Sequence, residues 1–291
     1  MFTKLLVGLD GSPQAQVALA QAISVGGRFR STIVVAHVAR LEAQEERLYQ
    51  TLGAPWTEGR PTPLARSAQT MEEAAGKLLE DAAGAVRRAG LPVETVYRAG
   101  EVAVELFELS AGVDAVFVGR VGLRGVSDPL GPDTRELIRR APTPLVVCGT
   151  VVSAMNRCGV AYDGEASSRE ALALAARYAE VAGAHLDVIH STRDEAKGRE
   201  ILARAAMALS AAPVHFETHL ERGDVHEAVA NAVRRLDCNA LFAGTHREEG
   251  RWSVPSHTEA ILRATDIPVV VHSESEGLSA RASTAHRRPP S

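Results

Sequence analysis

Cysteine is scarce in this chain, and so is any pattern that would place it in a membrane, on a nucleic acid or outside the cell. Three cysteines, Cys148, Cys158 and Cys238, make an odd number with no metal-ligand spacing, which argues against a disulfide framework and a metal site. Cys148 lies inside the apolar run Leu-Val-Val-Cys and reads as a core residue. No apolar run approaches the roughly 18–20 residues of a membrane span. Lys and Arg number 32 against 36 Asp and Glu, a net charge of −4, so no global basic field argues for nucleic acid. The N-terminal Met-Phe-Thr-Lys-Leu-Leu-Val enters a strand directly and lacks the pattern of a cleavable secretory signal. A cytoplasmic protein is expected, with neither membrane nor nucleic acid as a partner. The Gly-x4-Gly-Lys-[Ser/Thr] loop and the Gly-x-Ser-x-Gly elbow are also missing, and no catalytic triad can be assembled from spacing. No catalytic residue is therefore assigned, and weak ATP hydrolysis is the most enzyme chemistry expected.

What is present is ordinary globular material, 45% hydrophobic and 23% charged, and 291 residues favour two domains. Residues 4–10 form a mostly apolar run ending on Asp10, as in a strand buried on both faces. Ser12 and Pro13 suit a helix start, and Gly26-Gly27 reads as its stop. Residues 31–38 read as a second strand carrying His37, and 40–69 as an irregular insertion with Trp56 among prolines, a lid or a plain surface excursion. Thr70-x-x-Glu73 reads as a capping box before a helix to Ala89. A strand over 93–97, a helix over 101–110 and strands over 115–118 and 144–148 follow. Strands alternating with helices predict an α/β fold with a parallel sheet.

The pattern then repeats. Asp10-Gly11 returns as Asp163-Gly164 (163 − 10 = 153) and His37 as His190 (190 − 37 = 153). Further along, Gly100 returns as Gly223 (223 − 100 = 123) and Pro144 as Pro268 (268 − 144 = 124). Two copies in near-constant register with one break mean a duplicated domain, the break falling in the 40–69 insertion. The expected domains are 1–150 and 156–273, each with its own five-stranded parallel sheet, followed by a polar tail over 274–291. His37 and His190 read as core or rim histidines, Arg87-Arg88 and Arg139-Arg140 as solvated helix ends, and Glu42–Glu46 as a solvated face.

Between the strand ending at Val118 and the helix at Arg135 stand Gly119, Gly122, Gly125 and Gly131. Glycines there let backbone N–H groups converge, and a helix N-terminus beyond them suits a phosphate. Together with Val7-Gly-Leu-Asp10-Gly-Ser12, Val34-Val-Ala-His37-Val38, Gly100-Glu and Ala141-Pro-Thr-Pro144-Leu-Val-Val, this loop makes the chain resemble the universal stress protein family, as a tandem two-domain member. The resemblance covers nearly all of 1–150 and, less crisply, 156–273. It implies two doubly wound domains with strand order 3-2-1-4-5, their last strands meeting across a pseudo-twofold axis. Ligands then sit at the switch point between strands one and four.

Nucleotide-binding members carry Gly-x2-Gly-x9-Gly-[Ser/Thr]. The resemblance implies that Asp10 and Val38, with Gly8 beside them, contact adenine and ribose. It implies that Gly119, Gly122, Gly125 and Gly131 hold phosphates of ATP or AMP, with Mg2+ as an accompanying ion. Here the second interval is one residue short, Pro132 replaces the hydroxyl residue and removes an N–H donor, and Ser127 or Thr134 are the available substitutes. The second copy retains Asp163, Gly244 and Ser256, but Arg247 stands in place of the second glycine, so that site reads as vestigial. Asp10 and Asp163 have an alternative reading as helix caps. The functional expectation is an adenine-nucleotide-binding regulatory protein of the stress response, built as an intramolecular pseudo-dimer and leaving room for a homodimer. The alternative is a protein-interaction adaptor that binds no nucleotide.

Overall fold

The computed structural model describes residues 2–39, 56–57, 60–61, 63–122, 130–140, 143–245 and 257–273. In the first half, strands β1 (Lys4–Leu9), β2 (Thr32–Ala39), β5 (Val93–Ala99), β6 (Ala115–Gly119) and β7 (Leu145–Cys148) pair in parallel in the order β5-β2-β1-β6-β7. The second half repeats this with β8 (Arg157–Ala161), β9 (His185–Ser191), β10 (His215–Glu221), β11 (Ala240–Thr245) and β12 (Val269–Ser273), ordered β10-β9-β8-β11-β12. The fold is α/β and doubly wound, each half having the 3-2-1-4-5 order.

The two sheets are not separate. β7 and β12 pair antiparallel, Val147 with Val269 and Leu145 with Val271, and close one continuous ten-stranded sheet. The edges Leu145–Cys148 and Val269–Ser273 are apolar and two-sided, so pairing satisfies their backbone groups where water cannot.

Helices cover both faces because β-strand side chains alternate. Leu5, Val7 and Leu9 point to one face, under α1 (Pro13–Phe29), α2 (Pro63–Arg88), α5 (Ala166–Ala182) and α6 (Glu195–Leu209). Leu6, Val34 and Val116 point to the other, under α3 (Val102–Ser110), α4 (Pro132–Arg140), α7 (Val225–Arg235) and α8 (His257–Ala264). Both apolar layers run through both halves. Phe2 and Phe29 pack on Tyr178 at centroid distances of 6.1 and 5.8 Å, and Tyr178 on Phe242 at 5.8 Å. Each such aromatic pair contributes about 0.5–1.5 kcal/mol beyond area burial.

Three local expectations need correction. Helix α1 runs through Gly26-Gly27 and stops at Arg30, which takes a left-handed φ of 54° as the cap. Gly26 serves packing instead, since a Cβ there would stand 2.9 Å from Ile33 Cδ1. Helix α2 begins at Pro63, so Thr70 lies inside it and is no cap. Arg139 is no plain solvated end, for it pairs with Glu259 of the other half at 3.2 Å. Within the insertion, Trp56–Thr57 (β3) and Arg60–Pro61 (β4) form a short antiparallel ladder. Glu42–Glu46 and the polar tail lie outside the described residues.

Candidate functional site: the crevice at the switch point

The C-terminal ends of β1 and β6 lie side by side, and the chain leaves them in different directions. At the first, Asp10-Gly-Ser-Pro makes a tight strand-to-helix corner. The Asp10 Oδ1 accepts from the Ser12 N–H at 2.9 Å, Gly11 supplies a φ of 83°, and Ser12 Oγ accepts from the Ala15 N–H at 3.1 Å. Asp163 repeats this in the second half, accepting from the Glu165 N–H at 2.9 Å with Gly164 at φ 84°. The cap of α1 is Ser12, while Asp10 uses one oxygen to shape the turn and turns the other toward Gly122.

At the second strand end, Gly119 permits contact with α1. A Cβ there would lie 2.9 Å from the backbone carbon of Gln14. Gln14 Oε1 then accepts the Val121 N–H at 2.7 Å. The Gly131 N–H donates to the Arg120 carbonyl at 2.9 Å, and the Thr134 hydroxyl donates to the Gly119 carbonyl at 3.1 Å. Asp10, Gly119, Gly122, Gly131 and Thr134 thus converge on one crevice. Three donors in it are already engaged within the protein, so the glycines offer fewer N–H groups to an anion than their number suggests. Thr134 is buried and its single proton is bound to Gly119, which removes the donor that would have replaced the hydroxyl lost to Pro132.

Val38 closes the neighbouring strand, buried and paired with Arg98. Gly8 lies two residues before Asp10 on β1, and a Cβ there would stand 3.0 Å from Leu106 Cδ1, so its missing side chain makes room for α3. His37 Nδ1 meets the Leu9 carbonyl at 2.7 Å and stacks on Tyr97; His190 Nδ1 meets the Tyr162 carbonyl at 2.7 Å. A carbonyl only accepts, so the Nδ1 of each ring donates the hydrogen that ties the second strand of each half to the first. Gly125, Ser127, Arg247 and Ser256 lie outside the described residues.

The second half preserves the scaffold. A Cβ on Gly244 would lie 2.5 Å from the backbone of Ser167, matching Gly119 on Gln14. The Thr258 hydroxyl donates to the Gly244 carbonyl at 2.9 Å, matching Thr134 on Gly119. Thr258 was missed by sequence reasoning, although its interval from Thr134 (258 − 134 = 124) is that of the two prolines. Gln14, Arg120 and Glu259 were missed as well.

Away from the crevice, His185, Asp187 and Glu217 bring ligand atoms within 4.8 Å of one another. Asp187 is fully buried, and Arg157 holds both its oxygens at 2.8 and 3.1 Å while His219 Nε2 stands at 2.8 Å. These hydrogen bonds outweigh burial and draw the Asp187 carboxyl below the usual carboxylate range. A guanidinium on both oxygens repels a dication, so the group is an ion-pair centre.

The sequence profile of the universal stress protein family matches residues 1–149 and 191–272. The chain belongs to that family. Universal stress protein Slr1230 of Synechocystis is 24% identical over 281 residues, covering 91% of this chain and 98% of its own. Universal stress protein YxiE of Bacillus subtilis is 26% identical over 151 residues, 50% of this chain and 99% of its own. Among solved structures, a universal stress protein from Archaeoglobus fulgidus superposes with a TM-score of 0.77 at 20% identity, over 94% of this chain and 99% of that one. A functionally unknown protein from Pseudomonas aeruginosa gives 0.66 at 18% identity, over 94% of each chain. The shorter relative is the length of one half, the longer ones of both. A universal stress protein of two fused halves accounts for the repeat interval. Among the described residues, no helix is long and apolar enough to cross a membrane.

Proposed function

We propose that this universal stress protein is an adenine-nucleotide-binding regulatory protein whose site is the first-half crevice. Its two domains span 1–150 and 156–273, with 274–291 as a tail. The observation that carries the reading is Asp10 Oδ2 facing Gly122 across the switch point. A carboxylate there accepts from ribose hydroxyls or an adenine amino group, and the bare backbone beside it admits a phosphate. Asp10 repels a phosphate directly, which favours a phosphate that arrives with Mg2+. Such an ion would be carried in by the nucleotide, Asp10 would be the residue to hold it, and its charge would offset the repulsion between carboxylate and phosphate.

The role is regulatory and cytoplasmic, and no side chain is assigned to chemistry. Titration calorimetry with ATP tests the reading. Binding that is lost in Asp10→Ala and kept in Asp163→Ala supports it, and sustained phosphate release would point to an enzyme. A specific observation favours a second reading, the adaptor. Gln14, Arg120 and Gly119 already engage the Val121 and Gly131 N–H groups and the Thr134 hydroxyl. Absence of ATP binding in the folded chain selects that reading.

A further inference from the structure

Arg120 follows Gly119 at the end of β6, where its backbone belongs to the first-half crevice. Its carbonyl holds the Gly131 N–H. Its side chain leaves that half altogether. Nη1 donates to the carbonyls of Leu262 at 2.6 Å and of Thr265, and Nη2 reaches that of Ile267 at 3.4 Å. These carbonyls lie at the C-terminus of α8 and on the turn into β12, which helices leave without internal partners. A guanidinium is suited to them by charge and by its several donors. Arg120 is only 7% exposed.

A second tie runs alongside. Glu259 of α8, almost wholly enclosed, accepts from Arg139 at 3.2 Å and faces Arg135 at 3.7 Å, both on α4. Helix α4 begins at the far end of the glycine segment. Both ends of that segment are therefore fastened to α8. Among the described residues Arg120 has no equal in the second half, because pairing of Gly119 with Cys148 and of Gly244 with His272 makes Thr245 its counterpart. A threonine is too short to reach across the seam.

We infer that Arg120 is a positioning residue through which the second half fixes the described walls of the first-half crevice, residues 119–122 and 130–134, relative to each other for a ligand. For the ligand itself this rests on the nucleotide reading given above. The second half, whatever its own site does, then acts as the regulatory body of the first. Occupancy of the crevice tightens α8, and disturbance of α8 weakens occupancy by the same factor.

The experiment uses the full chain and Arg120→Lys, which keeps the charge but gathers its donors on one nitrogen and loses the fork that spans the three carbonyls. Amide hydrogen exchange is followed at 119–122, 130–134 and 262–267, and ATP affinity is measured on the same samples. In Arg120→Lys, exchange should rise in all three segments together, and the ATP dissociation constant should rise at least about tenfold. In the unmodified chain, ATP with Mg2+ should slow exchange at 262–267. Unchanged ATP affinity in folded Arg120→Lys overturns the inference, as does faster exchange confined to one side of the seam. If the unmodified chain binds no ATP, the nucleotide reading falls, and the exchange of Arg120→Lys without ligand still decides the tether. Should that variant not fold, Glu259→Gln replaces it. Exchange rising at both 119–122 and 262–267 supports the tether, and a rise at α8 alone overturns it.

Discussion

Gly122 stands against Asp10 so closely that a Cβ added to it would lie 2.5 Å from the carboxylate Oδ2. Gly122 is not among the glycines with left-handed φ, so no turn demands it. What its missing side chain provides is room, either for the carboxylate or for what the carboxylate holds. Gly122→Ala can be accommodated by swinging a flexible side chain aside, so stability should change by no more than roughly 0.5–1 kcal/mol. ATP affinity should nevertheless drop at least about tenfold, or about 1.4 kcal/mol. A double-mutant cycle with Asp10→Ala measures the coupling. In that background Gly122→Ala should leave stability unchanged, and additive effects on stability would contradict the contact.

The glycines of the helices and strand ends separate into two classes. Nothing lies within 4 Å of a Cβ placed on Gly27, whereas one on Gly244 would meet the Ser167 backbone at 2.5 Å. Gly27→Ala should stabilise by about 0.5–1 kcal/mol, because helical glycine costs backbone entropy. Gly244→Ala should destabilise by about 1–3 kcal/mol through overpacking. Urea unfolding of both variants provides the check, and equal effects would refute the packing account.

Glu259 is almost wholly enclosed while its partners Arg135 and Arg139 are 30% and 37% exposed. Glu259→Ala leaves two guanidinium groups facing the seam and should cost about 2–4 kcal/mol. Arg139→Ala removes a half-solvated partner and should cost less than about 1 kcal/mol. Thermal unfolding that ranks the two in the reverse order would reject this.

His272, on β12, lies 3.1 Å from Glu170 of α5, with Arg177 on the same helix. Burial, and secondarily Arg177, hold its pKa below the ordinary histidine value although Glu170 pulls it up. The unfolded chain takes up this proton near pH 6.5 and the folded chain only at lower pH. Stability from this group is therefore present above about pH 6.5 and declines as pH falls below it, by no more than about 1.4 kcal/mol per pH unit. His272→Gln should flatten the stability profile between pH 7.5 and 5.5, followed by urea midpoints. An unaltered slope would show that His272 is not its source.

All three cysteines are buried and free. Burial pushes the Cys148 and Cys238 thiols up to about 12 and raises Cys158 further still. At pH 8 the folded chain should resist iodoacetamide, with three equivalents reacting after unfolding. Fast labelling of a folded sample would contradict the burial.

Much of this was legible in the sequence, because it follows from local patterns and a fixed interval. Apolar runs ending on Asp10 and Asp163 announce strands, and the 153-residue spacing of two such pairs announces the second half. What failed depended on partners distant in sequence. Gly26 looks like a stop until Ile33 is placed against it. Arg139 looks solvated until Glu259 arrives from the other half. Arg120 carries no pattern at all, since its acceptors are backbone carbonyls some 140 residues away, and carbonyls have no residue type to read.

The antiparallel pairing of β7 with β12 reverses the direction of every strand at the middle of the sheet. The carboxyl ends of the first five strands therefore form one rim of the molecule, and those of the second five form the opposite rim. A small molecule at Asp10 and another at Asp163 would be back to back with the whole thickness of the sheet's length between them. Neither could touch the other, and a protein that read both would have to embrace the molecule from two sides.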